Sequence, residues 1–433
     1  MTASRTIVVG AGAAGLAAAR ALHDAGHAVT VLEARDRVGG RAHTSYDFAP
    51  HAVELGAEFI HGENVCTWDL VRGYGLGTLD QVPLLNVRGF VDGALIGHDA
   101  FIRSPVIQMG FSMQRAARAW LDAGHSDASL AEVARADAAD GGRALTDGEW
   151  RTWSHFVAQY HAADPEQIGA AGYIEPTFAG DGVRLNYRIV EGYSAMLNAF
   201  ASGLDVRLSS PVERIEWNAG GVRVVAGGAT FDAERLVVTL PLGVLQAGGV
   251  AFDPVLPDEK LRAVHGLGAG AIAKIILRFD ERLWPDDLTF LFTERESQLW
   301  WRPGRCRDDE APVLTAFLGG SSVPHFRALG NDAPLAALRD LEAMFGRRLE
   351  AHLQASRFVD WAADPYTAMG YSSVPPGGAG LRGMLAAPVG GVMFFAGEAT
   401  NADRPATVHG ALESGYRAAR EVMDAQPTLA KTT

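Results

Sequence analysis

Apolar positions along the chain follow two different periods. Ile7, Val8 and Val9 form a short β-branched run, and Val29, Thr30, Val31 and Leu32 form another. Between them Ala14 to Ala25 is alanine-rich and helical in propensity, so the start of the chain predicts a strand, a helix and a second strand. From about Phe111 to Gln167, Ala, Arg, Asp, Glu and Trp recur at helical spacing and predict several amphipathic helices. From Gly203 the pattern changes to short strands at 204–208, 212–217 and 222–226, the last two split by Asn218-Ala-Gly-Gly, a hairpin-type turn. Arg235 to Leu245 reads as a buried strand ending at Pro241, and 271–279 and 392–397 as two more, the last before a helix over about 407–424. Strands alternating with helices, and no internal repeat, predict an α/β (α+β) chain.

The turn inside the first strand–helix–strand unit carries chemistry. Gly10, Gly12 and Gly15 supply G-x-G-x-x-G where strand becomes helix. The first glycine permits the tight turn, the second lets backbone approach a pyrophosphate, and the third lets helix pack on strand. The helix start, with Ala14 in its first turn, offers free N–H groups and a positive dipole end to phosphate. Glu33 ends the second strand, where a carboxylate accepts hydrogen bonds from a ribose. This is a Rossmann-type dinucleotide site, and NAD and FAD both satisfy it.

Composition narrows the classes. The 433 residues suit two or three domains, and 48% hydrophobic with 21% charged residues is an ordinary globular balance. A net charge of −13 argues against non-specific nucleic-acid binding and is compatible with a cationic substrate. Cys66 and Cys306 form no C-x-x-C pair, and the scattered histidines show no metal-ligand spacing, so neither a disulfide framework nor a metal site is expected. No leader is legible ahead of the first strand and no long apolar run follows, which predicts a cytoplasmic protein that uses no membrane. Nothing in the pattern speaks to oligomeric state.

After Glu33, Arg35-Asp-Arg-Val-Gly-Gly-Arg41 resembles the second motif of the flavin amine oxidases, the group of monoamine oxidases, polyamine oxidases and lysine-specific histone demethylases. GYSAML (Gly192–Leu197), VVTLPLGVL (Val237–Leu245), KIILRFDERLWP (Lys274–Pro285), WAADPYTAMGYSSV (Trp361–Val374) and FFAGEATNADRPATVHGALESG (Phe394–Gly415) follow in that family's order. The match spans the chain almost end to end and is nearest, in its motifs, to polyamine oxidases and the demethylase oxidase domain. It implies an FAD domain assembled from residues 1–80, 203–262 and 388–425, a substrate domain of mixed sheet and helices from 81–202 and 263–387, and a polar tail at 426–433.

The resemblance also implies roles. Gly10, Gly12, Ala14, Gly15, Glu33, Arg35, Gly40, Arg41, Gly56, Ala57, Glu58, Phe59, Val212, Glu398, Thr407 and Val408 would contact FAD, with Val212 binding adenine through its backbone. Gly370 stands where monoamine oxidases carry a flavin-tethering cysteine, so the FAD is expected to be non-covalent. Taken alone, Lys274 reads as an edge-strand or snorkelling lysine; the resemblance instead assigns it a water near flavin N5. Tyr366 and Tyr371 read as core filling on their own, whereas the resemblance places Tyr371 facing the flavin and Tyr366 in the substrate cavity. Thr407 occupies the place of a second cage tyrosine. In ELGAEFIHG (Glu54–Gly62), His61 would line the substrate cavity, and Glu58 has two open readings: it holds a distal substrate ammonium, or it packs beside the flavin.

The implied reaction oxidises a polyamine or similar secondary amine to an imine, which water hydrolyses, while O2 becomes hydrogen peroxide. A monoamine or L-amino-acid oxidase is the alternative, although no arginine is assignable as a carboxylate clamp. A flavin desaturase would not need Lys274. A histone demethylase would carry an N-terminal extension and a helical insertion not legible here.

Overall fold

A computed structural model describes residues 4–81, 86–140, 144–176 and 186–425; the expected tail at 426–433 lies outside them. Strands Arg5–Val9 and Ala28–Leu32 run parallel around the helix Ala13–Asp24. That helix is built almost wholly from alanine on its buried side, so a second helix can approach closely. The helix Val408–Asp424 does so: a β-carbon on Gly415 would stand 2.2 Å from the Ala14 carbonyl oxygen. The two strands belong to a five-stranded parallel sheet ordered 205–207, 28–32, 5–9, 235–238, 393–395. Three stretches far apart in the chain therefore meet in one sheet. A parallel sheet covered on both faces needs near-continuous apolar strands, and Ile7–Val9, Leu236–Val238 and Met393–Phe395 meet that need.

A second sheet of seven strands is ordered 353–360, 272–279, 313–319, 299–301, 290–293, 88–91, 94–96. Side chains alternate across it. Ala273, Ile275 and Leu277 face the helix Ala333–Phe345 and cluster with its Leu338 and Leu341. Lys274, paired with Phe317, points to the other face, which also carries Thr315, Trp301 and Phe290. Part of that face is covered by the helices Pro105–Asp122, Leu130–Asp140 and Asp147–His161. The last of these starts at a capping box in which Thr146 and Glu149 satisfy each other's backbone N–H groups.

The helices expected between 111 and 167 and the hairpin at Asn218 are present, with strands at Val212–Asn218 and Gly221–Ala226. The strand expected at 204–208 is shortened to Asp205–Arg207, and the one expected to run to Pro241 stops at Val238 and turns into the helix Leu242–Gln246. Among the described residues, no helix is long and apolar enough to cross a membrane.

Candidate active site

The three fingerprint glycines differ in what surrounds them. Gly10 has φ +100°, and a β-carbon there would lie 2.6 Å from Thr239 Oγ1. On Gly15 it would lie 1.9 Å from the Gly10 carbonyl oxygen, so the helix rests on the strand at this point. On Gly12 it would meet nothing within 4 Å. The turn is thus closed at its first and third glycines and open at its second, over the helix N-terminus, where unpaired N–H groups gather. This is a cradle of the kind a pyrophosphate fills.

Glu33 secures the turn from below: Oε2 accepts from Ala11 N at 2.7 Å and Oε1 from Arg35 N at 2.9 Å. The Val212 segment is brought alongside, because Ser210 N donates to the Glu33 carbonyl at 2.8 Å. Gly40, with φ +57°, passes so near Gly12 that its β-carbon would be 3.5 Å from the Gly12 α-carbon. Gly56 lies directly on Arg41, whose carbonyl accepts from Ala57 N at 3.1 Å. From there Arg41 Nη1 reaches Glu398 Oε1 at 3.1 Å and the Gly370 carbonyl. Arg41, Thr239, Leu240, Gly397 and Glu398 line a cleft at the carboxyl ends of the parallel strands 235–238 and 393–395, where open α/β sheets bind their ligands.

Glu398 also accepts from Ser372 Oγ at 2.6 Å and Ala406 N at 3.0 Å. Burial acts to raise its pKa, but the Arg41 and Arg382 cations with these hydrogen bonds prevail and hold it below the usual carboxylate value. Thr407 is the N-cap of the helix that Val408 begins: its Oγ1 accepts from Gly410 N at 3.0 Å and donates to the Arg404 carbonyl at 2.8 Å. That hydroxyl is occupied in capping, and Ala406, just before it, is tied to Glu398 at the cleft.

Lys274 is neither at an edge nor snorkelling. It is 1% exposed on a strand with a neighbour on each side, and Nζ donates to the Glu54 carbonyl at 2.9 Å and to Glu58 Oε2 at 2.8 Å. Glu58 Oε1 accepts from Arg188 Nε at 2.6 Å and from Trp301 Nε1 at 2.9 Å. Both carboxylate oxygens therefore already accept from internal donors, and Glu58 is tied to Lys274, Arg188 and Trp301. Burial opposes its charge, yet Lys274 and Arg188 draw its pKa below the usual value.

Around this cluster, Phe59 packs edge-on to Trp301, and its carbonyl accepts from Tyr193 Oη at 3.0 Å. His61 and Asn186 pair through Nδ1 and Oδ1 at 2.8 Å. His61 keeps an exposed surface although burial lowers its pKa against the opposing Asn186 hydrogen bond. Tyr160 likewise is 57% exposed while burial raises its phenol pKa. Both side chains thus keep open surface while standing close to surrounding protein. Tyr371 is held nearby, its hydroxyl donating to the Gln159 carbonyl, and burial raises its pKa as well.

Tyr366 has different neighbours. It is 42% exposed, with Arg35 5.2 Å over its ring and Arg35 in turn bonded to Asp364 at 2.6 Å. Asp364 accepts from Tyr366 N at 2.9 Å, and this local turn sends Tyr366 outward while Tyr371 goes inward. Arg188, Trp301 and Asn186 were not singled out from sequence; the one available signal was the surplus of cations in apolar strands, which requires a buried anion.

A family model described as flavin containing amine oxidoreductase matches residues 13–423. The chain belongs to the flavin-containing amine oxidoreductases. As a member it is an oxidoreductase and a flavoprotein, and the glycine cradle suits the nucleotide half of such a cofactor. Polyamine oxidase 2 of Arabidopsis thaliana is 31% identical to this amine oxidoreductase over 96% of the chain and 87% of its own length. Human lysine-specific histone demethylase 2 is 29% identical over 96% of the chain, which spans only 53% of that relative. The fold is shared with a solved putrescine oxidase bound to putrescine, at TM-score 0.84 and 23% identity, covering 97% of this chain and 99% of the other.

Proposed function

We propose that this amine oxidoreductase binds FAD non-covalently and oxidises a polyamine or similar secondary amine, R–CH2–NH–R′ + O2 + H2O giving R–CHO + R′NH2 + H2O2. The observation that carries the FAD assignment is the open Gly12 position above a closed Gly10–Gly15 turn, from which Gly40 and Arg41 lead to Glu398. The polyamine assignment is supported by the likeness to polyamine oxidase 2 over most of both chains.

Bound flavin would supply a two-electron acceptor for the amine and pass the electrons to O2. The chain's own residues would do the rest. Gly12, Ala14, Glu33 and the Val212 backbone would hold the dinucleotide; Arg41 and Glu398 would take its middle; the dipole of the helix begun by Val408 would favour negative charge at its N-terminus. Tyr371, fixed by the Gln159 carbonyl, would aim the substrate, and His61 with Asn186 would give the cavity a polar wall. Lys274 has three N–H donors, of which two are committed to Glu54 and Glu58; the third would hold a water beside the flavin. Positive charge there disfavours an ammonium and favours the neutral amine that the oxidation needs.

One observation supports a monoamine oxidase as a second reading: Glu58 is buried and already bonded to Lys274, Arg188 and Trp301, a poor place for a second substrate cation. An L-amino-acid oxidase lacks such support, because the Arg188 terminal nitrogens are shut off from solvent. Anaerobic mixing of the yellow protein with spermine, spermidine, their N-acetyl forms, putrescine and aromatic amines decides between the readings. Bleaching led by spermine, spermidine or an N-acetyl form is expected; bleaching by monoamines alone would reject the polyamine assignment.

A further inference from the structure

Two buried cations share one buried carboxylate at the strand that carries Lys274. Glu58 lies between Arg188 and Lys274, and none of the three side chains is more than 6% exposed. A Glu58–Lys274 pair alone would be neutral, and the lysine would offer its surroundings no net charge. Arg188 changes that sum, since a guanidinium keeps its charge in a protein. Two cations against one anion leave +1.

The other contacts of Arg188 are few. Nε is committed to Glu58, the plane lies 4.6 Å over Phe59, and Nη1 and Nη2 have no hydrogen-bond partner among the described residues. A cation buried with two bare nitrogens is costly, and hydrophobic side chains would fill the place better. Its charge is what it contributes.

We propose that Glu58 and Arg188 are positioning residues for Lys274: Glu58 fixes the ammonium, and Arg188 offsets the charge of Glu58 so that Lys274 meets the flavin with its positive charge intact. This rests on the placement of Lys274 beside the flavin argued above. Fixed positive charge stabilises electrons added to a cofactor without reorganisation at the moment of transfer. Glu54 is the other titratable group at Lys274; burial pushes its pKa up to about 7, so at pH 6 it is mostly neutral and outside the sum.

The test is the midpoint potential of the bound flavin at pH 6, a property read without turnover. Arg188→Gln takes the cluster from +1 to 0 and should lower the potential. Glu58→Gln takes it from +1 to +2 and should raise it. The double variant returns to +1 and should restore the starting value. Each single change is expected to alter the reduced-to-oxidised ratio about tenfold, about 30 mV for a two-electron couple. Glu58→Gln leaves two cations without an anion; if it does not fold, Arg188→Gln and the double variant, neither of which leaves that excess, decide alone. Lys274→Met should also lower the potential. If it does not, Lys274 is not beside the flavin, and the proposal falls with that placement. If Lys274→Met lowers the potential but the double variant fails to restore what Arg188→Gln removes, the placement stands and the proposal is overturned.

Discussion

Gly370 packs against Ile272 so tightly that a β-carbon on the glycine would stand 2.4 Å from Ile272 Cβ and 2.8 Å from its backbone nitrogen. No side chain fits at the position from which monoamine oxidases tether their flavin. Acid precipitation of the holoprotein should therefore release all yellow colour into the supernatant, read by absorbance. Colour retained in the pellet would contradict non-covalent binding.

The fingerprint glycines should separate by substitution. Gly12→Ala meets no protein atom, so the apoprotein should melt close to the parent temperature while flavin affinity falls at least about tenfold, about 1.4 kcal/mol. Gly15→Ala drives a methyl into the Gly10 carbonyl and should destabilise the apoprotein itself by about 1–3 kcal/mol or more. Thermal melts of the apoproteins and flavin titrations measure both; equal effects at the two positions would show that the Gly12 opening is not the pyrophosphate site.

Lys274→Met should keep Glu58 paired through Arg188 and so keep the fold. Stopped-flow traces should show flavin reduction by amine less affected than reoxidation by O2, which should slow about 100-fold, the scale for losing one oriented donor at a developing charge. Unchanged reoxidation would remove Lys274 from the oxygen half-reaction.

Glu54 gives stability a pH dependence of definite sign. Burial raises its folded pKa from 4.5 to about 7, so the native state holds the proton more tightly than the unfolded chain. Its contribution is fully present below pH 4.5 and is lost as pH rises through about 7, a swing on the order of 3 kcal/mol. Glu54→Gln imitates the protonated form, its amide oxygen accepting from Tyr193 N and its nitrogen donating to Thr44 Oγ1. The stability of this variant relative to the parent, from urea unfolding, should rise between pH 5 and pH 8; a constant difference would show that Glu54 is ionised throughout.

The strand–helix–strand unit and its glycines were readable from sequence because every contact that defines them is local or nearly so. The seven-stranded sheet was largely not. Phe290–Thr293 and Leu299–Trp301 are too short to show a period, and 353–360 alternates only weakly because one edge strand is half-buried. The cluster at Lys274 escaped for a different reason: Glu58 meets Arg188 130 residues away, Lys274 216 residues away and Trp301 243 residues away, and no motif links them. Tyr366 and Tyr371 share one motif, yet a turn built by Asp364 sends them to opposite environments.

The order of the parallel sheet bears on how the protein is made. Its second and third strands in spatial order come from residues 5–32, but the edge strand 393–395 is made long after them. Arg41 waits 357 residues for Glu398, and the alanine face of the first helix waits for Gly415. Until then the growing chain carries an uncovered apolar helix and an unfinished sheet edge, surfaces that invite aggregation. The cleft that Arg41 and Glu398 line can therefore close only after residue 398 has been made, long after the glycine turn.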